Sequence, residues 1–161
     1  MIKILVATDF ADDTRPVLDF AAKLVHRSGG KLYLLHVLEP CVANVAGSLT
    51  ADDIPIGFGE FPIVDTHVAD EKLLATADAR AKQLGRQLHE QWSIPVYAKA
   101  EEADDVVDCI NAFCERHGVG NIVIGNRHHT LLSSILLGNT AEQLVRSSHI
   151  PVTVVPCHKA L

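Results

Sequence analysis

The sequence holds no long apolar run, no surplus of positive charge and no paired-cysteine motif. Each absence removes a class of function. A membrane-spanning helix needs about 20 consecutive apolar residues, and no stretch of the 161 residues approaches that length. The N-terminus reads MIKILVATDF, and its apolar run is already closed by Asp9. That is too short for a signal peptide, and no small-residue cleavage site follows. Fourteen Lys and Arg stand against twenty Asp and Glu, a formal net charge of −6. Nucleic acid is gripped through its phosphates by a basic face, so a broad nucleic-acid surface is excluded. Four cysteines stand at 41, 109, 114 and 157 without a CxxC pair. Reduced thiols and a cytoplasmic location are therefore expected, rather than a disulfide framework or a zinc site. Internal repeats and low-complexity tracts are absent as well.

What is present suits one globular domain over residues 1–161. Hydrophobic residues make up 48% and charged residues 21%, which argues against global disorder. A chain of this length buries roughly 70% of its unfolded surface, so it needs no covalent or metal staple. Nine histidines are the one compositional oddity.

Ile2 to Thr8 is apolar without polar alternation, the pattern of a strand buried on both faces. Asp12, Asp13 and Thr14 offer helix caps, and Pro16 fits a first turn. Val17, Phe20, Ala21, Leu24 and Val25 then recur at helical spacing, and Gly29-Gly30 stops that helix. KLYLLHVL, residues 31–38, reads as a second strand. Residues 41–64 carry glycines, prolines and scattered apolar side chains with no period, an irregular insertion of the kind that is usually functional. A long helix is expected from about Asp65, with Leu74, Ala77, Ala81, Leu84 and Leu88 as its apolar stripe. Strands follow at Pro95–Ala100, Asn121–Gly125 and Pro151–Val155, with helices at Ala103–His117 and Asn139–Ser148. Glu101, Glu102, Asp104, Asp105 and Asp108 read as the polar entry to the first of those helices, and His117 as its cationic C-terminal residue.

This alternation predicts an α/β fold: an open five-stranded parallel sheet with helices on both faces. Ligands in such sheets sit beyond the carboxyl ends of the strands, where the strand order reverses. Ala7, Thr8 and Asp9, His36 and Val37, and Gly125 to His128 should converge there. Gly125 and Gly138 bracket the loop before the last helix. A glycine turn leading into a helix N-terminus suits a phosphate, because backbone N–H groups point outward and the helix dipole favours an anion. Arg127, Asn139 and Thr140 are candidate phosphate contacts. The same glycines also fit a plain strand end and a plain helix start. Asp9 suits either a ribose hydroxyl or a cap of the following turn. His128-His129, with His36 as an outside third, falls short of a convergent metal set. No GxxxxGK[ST] motif and no GxSxG elbow occur, and no carboxylate pair suits acid–base work. Catalytic residues are therefore not assigned.

VATDF, LLHVLEP, NIVIGNRHH, LLGNTAEQLV and IPVTVVP, in this order and spacing, resemble the universal stress protein family over almost the whole chain. The resemblance implies a Rossmann-like, adenine-nucleotide alpha-hydrolase-like fold. It also implies a homodimer formed through the last strand, Val152 to Val155. Nucleotide-binding members carry G-x2-G-x9-G-[ST]. Gly125 and Gly138 match its first and third glycines, His128 stands at the second, and Asn139 replaces the hydroxyl residue. By resemblance, Gly125 and Gly138 face phosphates, Asp9 faces the nucleoside and the backbone at Val37 faces adenine. The ligand implied is ATP or AMP, with magnesium only if ATP binds. A histidine in place of glycine adds bulk where backbone should approach phosphate, so altered or weakened binding is expected.

The resulting expectation is a regulatory stress-response module, not an enzyme, acting through a protein partner. Two alternatives differ in class. One is a slow ATPase at the same pocket, for which only Asp9 offers an acidic group. The other is a nucleotide-independent interaction module using segment 41–64, with Ile54, Ile56, Phe58 and Phe61 as anchors.

Overall fold

The computed structural model describes residues 1–11, 14–40, 66–127 and 138–157. Segment 41–64 with its four candidate anchors, and His128 and His129, lie outside the described residues, as does the side chain of Arg127. Among the described residues nine elements alternate: β1 (Ile2–Ala7), α1 (Arg15–Ser28), β2 (Gly30–Leu38), α2 (Thr66–Trp92), β3 (Val96–Glu102), α3 (Val106–His117), β4 (Asn121–Arg127), α4 (Asn139–Ser147) and β5 (Val152–Cys157). The strands form one sheet in the order β3-β2-β1-β4-β5. Every pairing is parallel.

The central strand explains the unbroken apolar run. Ile4, Leu5 and Val6 are fully buried, because alternate side chains enter two separate cores. Ile4 and Val6 pack with Val17, Ala21 and Val25 of α1 and with Leu88 of α2. Leu5 packs with Ile110 and Phe113 of α3 and with Leu144 of α4. Helices therefore cover both faces, as the alternation predicts.

Two expectations are corrected here. Phe20 does not face the core; it is 42% exposed. The buried stripe of α1 is Val17, Leu18, Ala21, Ala22 and Val25, which places Phe20 about 130° from its centre at 100° per residue. The second concerns Glu101 and Glu102, which belong to β3 rather than to a helix entry. The Glu101 carboxylate lies 2.7 Å from Arg116 and 3.0 Å from Lys99. Burial pushes its pKa up, but the two cations outweigh that and hold it below the usual carboxylate range.

Helix α3 starts where Asp105 caps it, its side chain accepting the Asp108 N–H. It ends on Gly118 in the left-handed conformation. His117 does sit at that C-terminus, where a cation would be favoured. Its ring instead packs 4.3 Å from Phe113 and 5.1 Å from Tyr33. Burial, with Arg116 beside it, pushes the imidazole pKa below its ordinary value.

Candidate functional site at the strand carboxyl ends

Strand order reverses between β1 and β4, because β2 and β3 extend from one side of β1 while β4 and β5 extend from the other. The chain leaves these two strands in opposite directions, which opens a crevice at their carboxyl ends. A cleft of about 480 Å³ lies there. One wall is apolar, formed by Leu35 and Val37 of β2, Val106 and Ile110 of α3, and Ile124 of β4. Thr8, Asp9, Glu39, Asn139 and Thr140 add polar groups to the lining. Of the residues predicted from sequence, Ala7, Thr8, Asp9, Val37, Gly125, Gly138, Asn139 and Thr140 all line this one cleft. The backbone of Arg127 pairs with Cys157 at the end of β4.

Thr8 is only 8% exposed and is held by three bonds. Its N–H donates to the Leu35 carbonyl at 3.0 Å. Its hydroxyl oxygen accepts the Phe10 N–H at 3.0 Å. Its carbonyl lies 2.7 Å from His36 Nδ1. A carbonyl only accepts, so the imidazole carries its proton on Nδ1. His36 is thus committed to the β1 turn. Among the described residues no group of three His, Cys, Asp or Glu is placed to hold a metal ion. Asp9 caps the turn, as one of its two expected roles had it: Oδ1 accepts the Ala11 N–H at 3.3 Å, and the residue also lines the cleft.

The two motif glycines serve different purposes. A Cβ on Gly125 would lie 2.6 Å from Cys157 Sγ and 3.1 Å from Val17 Cγ2. Close packing of β4 against β5 and α1 therefore accounts for this glycine without any ligand. Gly138 has no such reason. Its φ of −59° and ψ of 151° suit any residue, and a Cβ there would meet no described atom within 4 Å. Its N–H donates to Asn126 Oδ1 at 3.2 Å, which ties the start of α4 to the end of β4. The N-cap position of α4 is Gly138 itself, which brings no side chain to cap the helix. The first-turn N–H groups of Asn139, Thr140 and Ala141 have no acceptor within the helix, and these three residues line the cleft. Gly138 places no side chain of its own at that positive helix end, which favours an anion.

Sequence reasoning missed Glu39, Cys157 and Phe10. Asn126 fell within the 125–128 segment expected to converge, but its bond to the Gly138 N–H carried no sequence signal. Cys157 enters because β5 runs two residues further than its apolar pattern, carrying the thiol to the cleft floor.

The sequence model of the universal stress protein family matches residues 1–156. The chain belongs to the universal stress protein family. A curated relative, universal stress protein MJ0531 of Methanocaldococcus jannaschii, is 25% identical over 156 residues, covering 95% of this chain and 81% of that protein. Universal stress protein UspA from Lactobacillus plantarum has a solved structure similar to this one, with a TM-score of 0.69 and 16% identity over 96% of this chain and 97% of that chain. The universal stress protein from Archaeoglobus fulgidus, solved in complex with dAMP, gives a TM-score of 0.55 and 20% identity over 96% and 97%. At these identities the two structures establish the fold of this universal stress protein. Its cleft lies at the carboxyl ends of the strands of that fold.

Proposed function

We propose that this universal stress protein is a small regulatory module whose cleft binds an adenine mononucleotide, AMP in preference to ATP. The observation that carries the reading is Gly138. Neither its backbone conformation nor its packing against the described residues requires glycine there, yet a side chain would stand at the N-terminus of α4. The cleft has the size of a small-molecule site, which is typically about 300–1,000 Å³. Its apolar wall of Leu35, Val37 and Ile124 suits the flat base. Asp9 is an acceptor for a ribose hydroxyl, and the hydroxyl proton of Thr8 has no acceptor among the described residues. The phosphate is directed to the N–H groups of Asn139 and Thr140. A single phosphate matches one helix N-terminus, and among the described residues no group of three His, Cys, Asp or Glu is placed to hold a metal ion beside it. The Archaeoglobus fulgidus relative in complex with dAMP supports the same ligand class.

Calorimetric titration with AMP tests the reading. Saturable binding of one AMP per chain is expected, tighter than about 100 μM, equivalent to roughly 5.5 kcal/mol. Absence of heat with AMP, ADP and ATP alike, with and without magnesium, overturns it.

The module is further proposed to be a homodimer paired through β5. That strand has β4 as its one partner among the described residues, and Val152 to Val155 are only half-buried. An open apolar edge is a template for pairing with a second copy. Light scattering is expected to give twice the 17.4 kDa of one chain, and a monomer mass contradicts the pairing.

A further inference from the structure

Phe10, the residue after Asp9, has a φ of +60°. That is the left-handed region, which a bulky side chain rarely enters. Strained backbone persists only where its surroundings over-determine it. Three contacts do so here, and they come from three parts of the chain. From β1 itself, the Thr8 hydroxyl oxygen accepts the Phe10 N–H at 3.0 Å. From β2, the His36 ring lies 4.3 Å from the Phe10 ring, while its Nδ1–H donates to the Thr8 carbonyl at 2.7 Å. From α2, 70 residues away, Arg80 Nη2 donates to the Phe10 carbonyl at 3.0 Å. The same guanidinium lies over the Phe10 ring, 5.1 Å from its centroid.

Arg80 is not in the 480 Å³ cleft. It lines a smaller cavity of about 280 Å³ on the far side of the turn, and Thr8 and Thr14 line both spaces. The guanidinium therefore grips the turn from behind, on the carbonyl of the residue that follows Asp9. Released from Arg80, Phe10 has every reason to relax to negative φ. That rotation would swing the peptide carrying Asp9 and break the bond from the Ala11 N–H to Asp9 Oδ1.

We propose that Arg80 is a positioning residue of the adenine-nucleotide cleft: it holds Phe10 in the left-handed conformation so that Thr8 and Asp9 stay aimed at the ligand. This inference rests on the nucleotide reading above. It makes α2 a reporter of the cleft, because a coupling between Arg80 and the ligand site acts equally in both directions. A ligand that fixes the turn also fixes the Arg80 contact, which gives a partner bound at α2 a means of sensing occupancy.

The experiment compares wild type, Arg80→Ala and Arg80→Lys in the full chain. AMP affinity is measured by calorimetry, melting temperature without ligand, and hydrogen exchange at the Phe10 and Ala11 amides. Arg80 is a surface residue, so all three proteins are expected to melt within about 2 °C of one another. Arg80→Ala should weaken AMP binding about tenfold and speed exchange at both amides. Arg80→Lys keeps a donor for the Phe10 carbonyl and should recover most of the affinity. An Arg80→Ala protein that binds AMP within twofold of wild type overturns the proposal, as does unchanged amide exchange. An affinity loss accompanied by a matching loss of melting temperature overturns it too, since that is a structural role alone. Failure of wild type to bind AMP is a separate result, which removes the nucleotide reading and this inference with it.

Discussion

Gly138→Val is expected to abolish detectable AMP binding while leaving the melting temperature nearly unchanged. The two halves of that expectation come from one measurement of space. Nothing described lies within 4 Å of a Cβ at this position, so the described residues offer no resistance to a side chain. The backbone at φ −59° and ψ 151° is extended enough for a β-branched residue. Stability should therefore change by less than about 0.5 kcal/mol, as for most surface substitutions. The ligand meets a different situation. Valine would place two methyl groups beside the N–H groups of Asn139 and Thr140, where the phosphate is to be held. A phosphate kept from those donors loses its charge-assisted bonds and is still stripped of water. A hundredfold or greater loss of affinity is the expected result, which is about 2.7 kcal/mol or more. Calorimetry and a thermal melt on the same sample check both halves. A protein that melts early would show that the glycine is structural after all.

Gly30→Ala is expected to be the most damaging conservative change in the fold. Gly30 opens β2 opposite Ile2 of β1. A Cβ added there would lie 2.1 Å from the Ile2 carbonyl oxygen and 2.5 Å from its Cγ2. The nearest obstacle is backbone, which cannot rotate away as a flexible side chain would. Relief requires β1 and β2 to separate at this end, in a sheet whose central strand is fully buried. Overpacking of this kind costs about 3 kcal/mol. For a chain of this size that lowers the melting temperature by roughly 6–12 °C. Gly29, the neighbour, serves as control: its φ of 65° suits glycine, yet a Cβ there meets nothing within 4 Å. Its replacement by Ala adds backbone strain of about 1–2 kcal/mol but no clash with the described residues, and should cost less than Gly30→Ala. Equal losses at the two positions would contradict the steric argument.

Much of the sheet was legible because its chemistry is local. ILVA and LYLLHVL are strands buried on both faces, so nearly every side chain is apolar, His36 apart, and the reading does not depend on phase. The helices were harder at their edges. In α1 the residues at positions 17, 21 and 25 fit the expected stripe, but the partner residues that complete it are Leu18 and Ala22, not Phe20. A small shift in stripe phase leaves the helix itself legible and puts its largest side chain in water. Glu101 shows the reverse failure. A carboxylate reads as a surface or helix-entry residue, and only the tertiary placement of Arg116 and Lys99 around β3 shows why it sits half-buried in a strand.

The site divides along the same line. Thr8, Asp9 and Val37 line one cleft, as expected of strand carboxyl ends at an order reversal. Asn139 and Thr140 followed from the glycine before a helix. The two glycines looked equivalent in the motif, and only the positions of Cys157 and Val17 reveal that Gly125 is fixed by packing whereas Gly138 is not. Arg80 had no sequence signal. It is one of several charged residues on a long helix, and its meaning depends on a carbonyl 70 residues away.

The most direct measurement is an amide-resonance map of the wild-type protein titrated with AMP. If the cleft is an adenine-nucleotide site, saturable shifts should appear together at Ala7 to Asp9, at Val37, and at Gly138 to Ala141. Val96 to Ala98, at the opposite end of the outer strand β3, should stay still. Absence of shifts at millimolar AMP, or saturable shifts that leave Gly138 to Ala141 unmoved, would contradict the assignment of this cleft to an adenine nucleotide.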